Sequence, residues 1–231
     1  MHSIILSLGC SFLLAALFKY AYKHAYVKSK SPPILVVFVG CIGAGKSTYM
    51  SNLESMFDKS SICFKQEPVA EWGEALVLFY ENPRRYAFMF QMLALLSRRK
   101  ILRDASEKTT ARVLCVERCL LSDKHIFAQP LRAHGNLTQM EFEIYDKWHH
   151  ECTVDSMPPQ VHHIYLKATA QTCLERVRKR KRDGEEYVTE KYLEQCVDAH
   201  EDMARVHPPA LVVDANGPVD VSLVYKFICD L

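Results

Sequence analysis

Short apolar runs alternate along this chain with longer stretches whose apolar residues recur at helical spacing. The strand-like runs are 34–39, 62–66, 112–116, 161–166 and 210–214. Helical patterns cover 46–57, 70–80, 84–104, 138–151, 170–180, 189–204 and 219–229. The first run, Ile34-Leu35-Val36-Val37-Phe38-Val39, has no polar position, as a strand buried on both faces requires. Strands alternating with helices predict an α/β fold, here a five-stranded, mostly parallel sheet flanked by helices. Ligands of such sheets bind beyond the carboxyl ends of the strands. The chemistry is therefore expected just after Val39, Gln66, Val116 and Leu166.

The first strand leads into Gly40-Cys41-Ile42-Gly43-Ala44-Gly45-Lys46-Ser47-Thr48, followed by a helix. Strand, G-x-x-x-x-G-K-S loop and helix in that order are what a phosphate-binding P-loop requires. Glycines let backbone N–H groups turn onto the phosphates, and the helix presents its positive N-terminus to the same anion. Lys46 can reach the β- and γ-phosphates, and Ser47 can ligate Mg²⁺. The loop implies nucleotide binding and leaves open what is done with the nucleotide.

Charge and cysteine usage exclude several other classes. The formal net charge of +2 over 231 residues is too balanced to argue for nucleic acid. The nine cysteines are odd in number, scattered and free of C-x-x-C spacing, so they read as free thiols in a reducing compartment. The pairs His149-His150 and His162-His163 read as surface or helix-end residues.

The first 33 residues stand apart from the domain expected over 34–231. Ile4 to Phe18 is almost wholly apolar, and Lys19, Lys23, Lys28 and Lys30 follow before Ser31-Pro32-Pro33. The apolar run is short for a bilayer span of roughly 20 residues, although Tyr20, Ala21 and Tyr22 extend it. A membrane anchor or peripheral segment over residues 4–22 is the favoured reading. The positive charge after it keeps the following domain on the cytoplasmic side. A mitochondrial targeting segment, a cleaved signal peptide and a helix packed on the domain are the alternatives. The segment contains no Arg, which a mitochondrial presequence would normally carry.

Three further stretches carry chemistry. Glu67-Pro68-Val69-Ala70-Glu71-Trp72 follows the second strand, and Glu117-Arg118-Cys119-Leu120-Leu121-Ser122-Asp123 follows the third. A basic run, Arg176-Val177-Arg178-Lys179-Arg180-Lys181-Arg182, precedes Asp183-Gly184-Glu185. In isolation each has a plain reading: Glu67 as an acid near a helix start, the basic run as a solvated helix face, the aromatics as core. Together and in this order the chain resembles the deoxynucleoside kinase family over about residues 34–217. That group holds deoxycytidine, deoxyguanosine and mitochondrial-type thymidine kinases.

The resemblance implies a P-loop kinase with an arginine-rich lid that phosphorylates the 5′-hydroxyl of deoxynucleosides, with ATP as donor and Mg²⁺ as cofactor. It implies that Glu67 is the general base. Glu117 would stand near Mg²⁺, and Arg118 near the 5′-oxygen and the phosphates. The family has Ser where this chain has Cys119. Arg176, Arg180 and Arg182 match lid arginines that close on the transferring group. Tyr80 and Glu185 match the pair on the sugar 3′-hydroxyl. Gln91 resembles the amide that pairs with the base edge, with Ile42, Trp72, Phe90 and Phe127 as walls. The combination Ala94, Arg98 and Asp123 accompanies deoxycytidine and purine deoxynucleoside use in the family, whereas the thymidine-using branch has uncharged residues for the last two. A thymidine kinase of the same family stays open, as does a nucleoside monophosphate kinase, which also joins a P-loop to arginines. A homodimer through helices is likewise implied, with deoxynucleoside and ATP as the other partners.

Overall fold

The computed structural model describes residues 31–58 and 60–231. The expectations for residues 1–30, membrane attachment over 4–22 among them, lie outside the described residues. Five strands form one sheet: β1 (Ile34–Val39), β2 (Ile62–Lys65), β3 (Val113–Glu117), β4 (Val161–Lys167) and β5 (Leu211–Asp214). Their spatial order is β2-β3-β1-β4-β5 and every pairing is parallel. Each predicted strand is present, its bounds within one residue of the sequence reading.

Both faces of the sheet are covered, which explains the unbroken apolar run of β1. Leu35, Val37 and Val39 face one core with Leu114 and Val116 of β3. Val36 and Phe38 face the other with Val113, Cys115, Ile164 and Leu166. All five inner β1 side chains are at most 1% exposed, and each contributes about 1.5–3 kcal/mol of burial. The helices over these faces are α1 (Lys46–Glu54), α2 (Val69–Glu81), α3 (Pro83–Lys108), α4 (Leu120–Ser122), α5 (Gln129–Ala133), α6 (Gln139–Ser156), α7 (Ala170–Arg180), α8 (Glu190–Val206) and α9 (Ser222–Cys229). Among the described residues no helix is long and apolar enough to cross a membrane.

Local sequence sets the entry of the helices around the site. Pro83 sits in the first turn of α3 and Asn82 caps it, accepting from the Arg85 N–H at 3.2 Å. Thr138 and Glu141 cap α6 reciprocally, and Thr189 caps α8 by accepting from the Tyr192 N–H at 3.2 Å. Four short elements are absent from the sequence reading: α4, α5, a 3₁₀ turn at Glu185–Tyr187 and a π-helix. Residues Asp123–Ala128 form a π-helix between α4 and α5, where no element is expected from the apolar pattern. The eight cysteines of the described residues are free thiols, as expected.

Candidate functional site

The carboxyl ends of β1, β2 and β3 open into a cleft. The P-loop leaves β1 at Gly40 and packs tightly on α7. A Cβ on Gly43 would lie 2.4 Å from the Cys173 carbonyl oxygen, so only glycine admits this approach. Lys46 is buried and its Nζ donates to the carbonyls of Gly40 and Cys41, both at 3.0 Å. Burial and the Arg118 charge push the Lys46 ammonium down to about 8. This cation favours an anionic ligand over its present partners. Ser47 Oγ donates to Glu117 Oε2 at 2.8 Å, and Glu117 Oε1 lies 3.7 Å from Lys46 Nζ.

Glu67, just beyond β2, is the hub of the charged groups. Its Oε2 accepts from Arg118 at 2.7 Å and its Oε1 from Arg98. Burial alone would raise its pKa, but Arg118, Arg98 and Lys46 outweigh it and hold the carboxyl well below the usual carboxylate range. Arg118 has φ +60°, a left-handed conformation uncommon outside glycine. Its N–H still extends the sheet by donating to the Phe38 carbonyl at 3.0 Å, while its guanidinium reaches Glu67, the Gly40 carbonyl at 3.3 Å and the Phe127 ring at 5.2 Å. Backbone strain of this kind gathers at functional sites.

The opposite wall is aromatic and belongs to α2 and α3. The Phe90 ring stacks on Phe79 with centroids 4.8 Å apart and meets Trp72 edge-on at 5.5 Å. Trp72 Nε1 donates to Ser97 Oγ at 3.0 Å, and the Arg98 guanidinium lies over its ring at 5.0 Å. Gln91, Ala94 and Arg98 line the cleft from one face of α3, at i, i+3 and i+7. Arg98 also donates to Asp123 at the start of the π-helix. Asp123 is fully buried behind Arg98 and does not reach the cleft wall. Burial pushes its carboxyl up to about 6 despite the opposing pull of Arg98. Among the described residues its Oδ2 has no partner.

The basic run ends α7. Arg180 and Arg182 line the cleft. Arg180 Nε donates to Glu185 Oε2 at 2.7 Å, and Arg182 lies 3.6 Å from Glu185 Oε1. The turn that carries Glu185 docks on α2, because Gly184 at φ +83° places its Cα side where a Cβ would stand 2.9 Å from the Val77 Cα. Arg176 lies elsewhere. Its guanidinium donates to the carbonyls of Ala44, Asn216 and Gly217 at 3.1–3.3 Å, bracing the back of the P-loop.

The structure thus brings Ile42, Gly43, Lys46, Ser47, Glu67, Trp72 and Tyr80 to one cleft with Phe90, Gln91, Ala94, Arg98, Glu117, Arg118 and Phe127. Gly40, Ala44 and Gly45 contribute loop backbone. The Cys41 thiol turns away to the Leu193 carbonyl at 3.7 Å, and Thr48 is exposed. Val69, Leu76, Phe79 and Tyr192 also line the cleft and escaped the sequence reading. Leu76 and Phe79 lie three residues apart on one helical face, a signal that was present, while a kink at Gly73 separates them from Trp72. Tyr192 enters from α8, and no local pattern points to it. Chemically, the arrangement joins a cationic anion cradle to a carboxylate and a flat aromatic slot with a charged end.

Comparison with known proteins agrees with this geometry. The family model for deoxynucleoside kinases matches residues 36–224. The chain is 34% identical over 194 residues to deoxycytidine kinase 2 of Gallus gallus, covering 70% of each chain. It is 31% identical over 192 residues to the mitochondrial deoxyguanosine kinase of Xenopus laevis, covering 70% of this chain and 69% of that one. It is also 31% identical over 182 residues to a putative kinase of Invertebrate iridescent virus 3, covering 79% and 88%. A P-loop at the end of β1, a carboxylate after β2, an Arg beyond β3 and a matching family model over most of the chain converge: the protein belongs to the deoxynucleoside kinase family and phosphorylates deoxynucleosides with ATP as donor.

Proposed function

We propose that the cleft phosphorylates the 5′-hydroxyl of deoxycytidine and the purine deoxynucleosides in preference to thymidine. The observation that carries this is the buried ion pair of Arg98 and Asp123 beside Gln91 and Ala94. A charged fork at the base edge favours rings that offer complementary donors and acceptors, and it crowds the methyl group of thymine. Relatives named as deoxycytidine and deoxyguanosine kinases support the same choice.

In this reading the P-loop amides and Lys46 hold the terminal phosphates. Phe90, Trp72, Phe127 and Ile42 enclose the base ring, Gln91 pairs with its edge, and Tyr80 with Glu185 holds the 3′-hydroxyl. Glu67 orients the 5′-hydroxyl toward the phosphoryl group and takes its proton as the bond to phosphorus forms. Arg118, Arg180 and Arg182 balance the charge that develops on the transferring group. Ser47 and Glu117 would hold Mg²⁺. A hydroxyl and a carboxylate already 2.8 Å apart are hard oxygen donors suited to that ion. Mg²⁺ completes its shell with water and phosphate oxygens, so a larger cluster of protein ligands is not needed, and none occurs among the described residues. When bound, the ion neutralises phosphate charge. A nucleoside monophosphate kinase would need free cations for the acceptor phosphate, whereas Arg98 and Arg118 in this cleft are paired to Glu67.

Side-by-side turnover of deoxycytidine, deoxyadenosine, deoxyguanosine and thymidine tests the reading. The first three are expected to lead. Thymidine in the lead would overturn the pocket argument, and turnover of monophosphates alone would overturn the acceptor.

We also propose a homodimer through α3 and α6, which pack on each other. α6 leaves Met140, Ile144 and Trp148 uncovered at i, i+4 and i+8, with Trp148 52% exposed, and α3 leaves Met89 and Leu96 uncovered. Apolar stripes on paired helices are what a helix-bundle interface buries. Wild-type protein is expected to sediment as a dimer and Trp148→Glu as a monomer. A monomeric wild type would reject the interface.

A further inference from the structure

A second cavity, of about 180 Å³, adjoins the nucleoside cleft and shares Phe79, Tyr80, Phe127 and Tyr192 with it. Its floor is apolar, with Phe79, Ile126 and Leu131 all buried. Its mouth is polar, with Gln195 Nε2 3.2 Å from His134 Nε2. The mechanism above uses none of this space. The reaction's own substrate is the ligand that stands closest to it.

We propose that this cavity receives a flat apolar group carried on the 3′-oxygen of the deoxynucleoside, so that the enzyme also phosphorylates 3′-O-aroyl deoxynucleosides. The inference rests on the reading that Tyr80 and Glu185 hold the 3′-oxygen. Tyr80 is common to both cavities, and the chain runs from Glu185 directly into Tyr187 and Thr189 of the second cavity's lining. A substituent on an oxygen held at Tyr80 stands against the wall that this cavity shares with the cleft. Substitution removes the 3′ O–H donor but leaves no buried carboxylate orphaned, because Glu185 keeps Arg180 and Arg182. Burial raises the Tyr80 phenol well above its ordinary value, so it stays protonated and still donates to the substituted oxygen. The transfer itself is unchanged. The bond from γ-phosphorus to its bridging oxygen breaks, ADP leaves, the 5′-oxygen bonds to phosphorus, and the 5′ proton is released.

The test uses the full chain and 3′-O-anthraniloyl-deoxycytidine, whose fluorescence reports an apolar surrounding. Emission is expected to rise on binding, and the 5′-monophosphate should form with KM within tenfold of that for deoxycytidine. A KM beyond tenfold, or unchanged emission, overturns the proposal. Leu131→Trp and Gln195→Trp fill the cavity from floor and mouth. Each is expected to raise KM for the probe at least tenfold and to leave deoxycytidine turnover unchanged. Gln195 is only partly buried, so Gln195→Trp serves if the Leu131 variant does not fold. A probe indifferent to both substitutions sits elsewhere and the proposal fails. If deoxycytidine is turned over normally while the probe is refused, only the cavity assignment falls. If no deoxynucleoside is a substrate, the reading beneath it falls as well.

Discussion

Glu67→Gln is expected to lower kcat by about 10²–10⁴, the range a positioned acid–base group contributes, and to leave KM for the deoxynucleoside within about threefold. The size of the loss follows from where the carboxylate stands. Arg118 and Arg98 fix both its oxygens, so its direction toward an acceptor hydroxyl is set before substrate arrives. Its depressed pKa makes it a weak base toward a resting alcohol. Phosphoryl transfer through a loose transition state tolerates that, because the 5′-oxygen becomes acidic only as it bonds to phosphorus, and a late proton transfer needs orientation more than basicity. The amide keeps the shape and one acceptor but cannot take the proton. Removing one partner of a buried ion pair costs about 3–5 kcal/mol. The amide still accepts from one guanidinium, so the stability loss falls below that range. Steady-state kinetics and a thermal melt on the same preparation separate the two effects. A lower Tm with wild-type kcat would make Glu67 a counter-ion for the arginines and nothing more.

The fold was legible because its central strands, β1 and β3, are buried on both faces. Val36 to Val39 cannot be read as a wet strand or a surface helix, and the strand ends placed Lys46, Glu67, Glu117 and Arg118 together before any geometry was known. The site was less legible where position depends on irregular backbone or on distant elements. Residues 120–133 carry no clean period, since a π-helix shifts the register of side chains against an α-helical template. That shift sends Asp123 under Arg98 and Phe127 to the cleft wall. Sequence grouped Asp123 with the residues that touch substrate, whereas the structure buries it behind Arg98, off the cleft wall. Arg176 was matched, with Arg180 and Arg182, to the family's lid arginines. On a helix, four residues separate Arg176 from Arg180 by about 6 Å along the axis, enough to place one behind the P-loop and the other in the cleft. Tyr192 depends on where α8 crosses, which no local pattern encodes.

Arg98 bridges Asp123 and Glu67, and this link shapes the second large effect. Arg98→Met combined with Asp123→Ala is expected to raise the ratio of thymidine to deoxycytidine kcat/KM at least about tenfold. A site built around buried polar groups rejects a ligand that leaves them unpaired far more strongly than an apolar site rejects an extra methyl. The double variant converts the first kind of site into the second and frees room for the thymine methyl. The single variant Arg98→Met is a different case. It leaves Asp123 buried with no cation at hand, where its carboxyl, already pushed up to about 6, rises further and takes up a proton, and it strips Glu67 of one of two guanidiniums. Unpairing one member of a buried pair is more destabilising than removing both. Tm should therefore fall furthest in Arg98→Met and recover in the double variant, while Glu67 keeps Arg118 and turnover persists in both. Ratio and melt together decide the matter. A double variant that is stable, active and unchanged in its preference would mean that Arg98 and Asp123 serve only to hold Glu67, and that base choice rests on Gln91 and the aromatic walls.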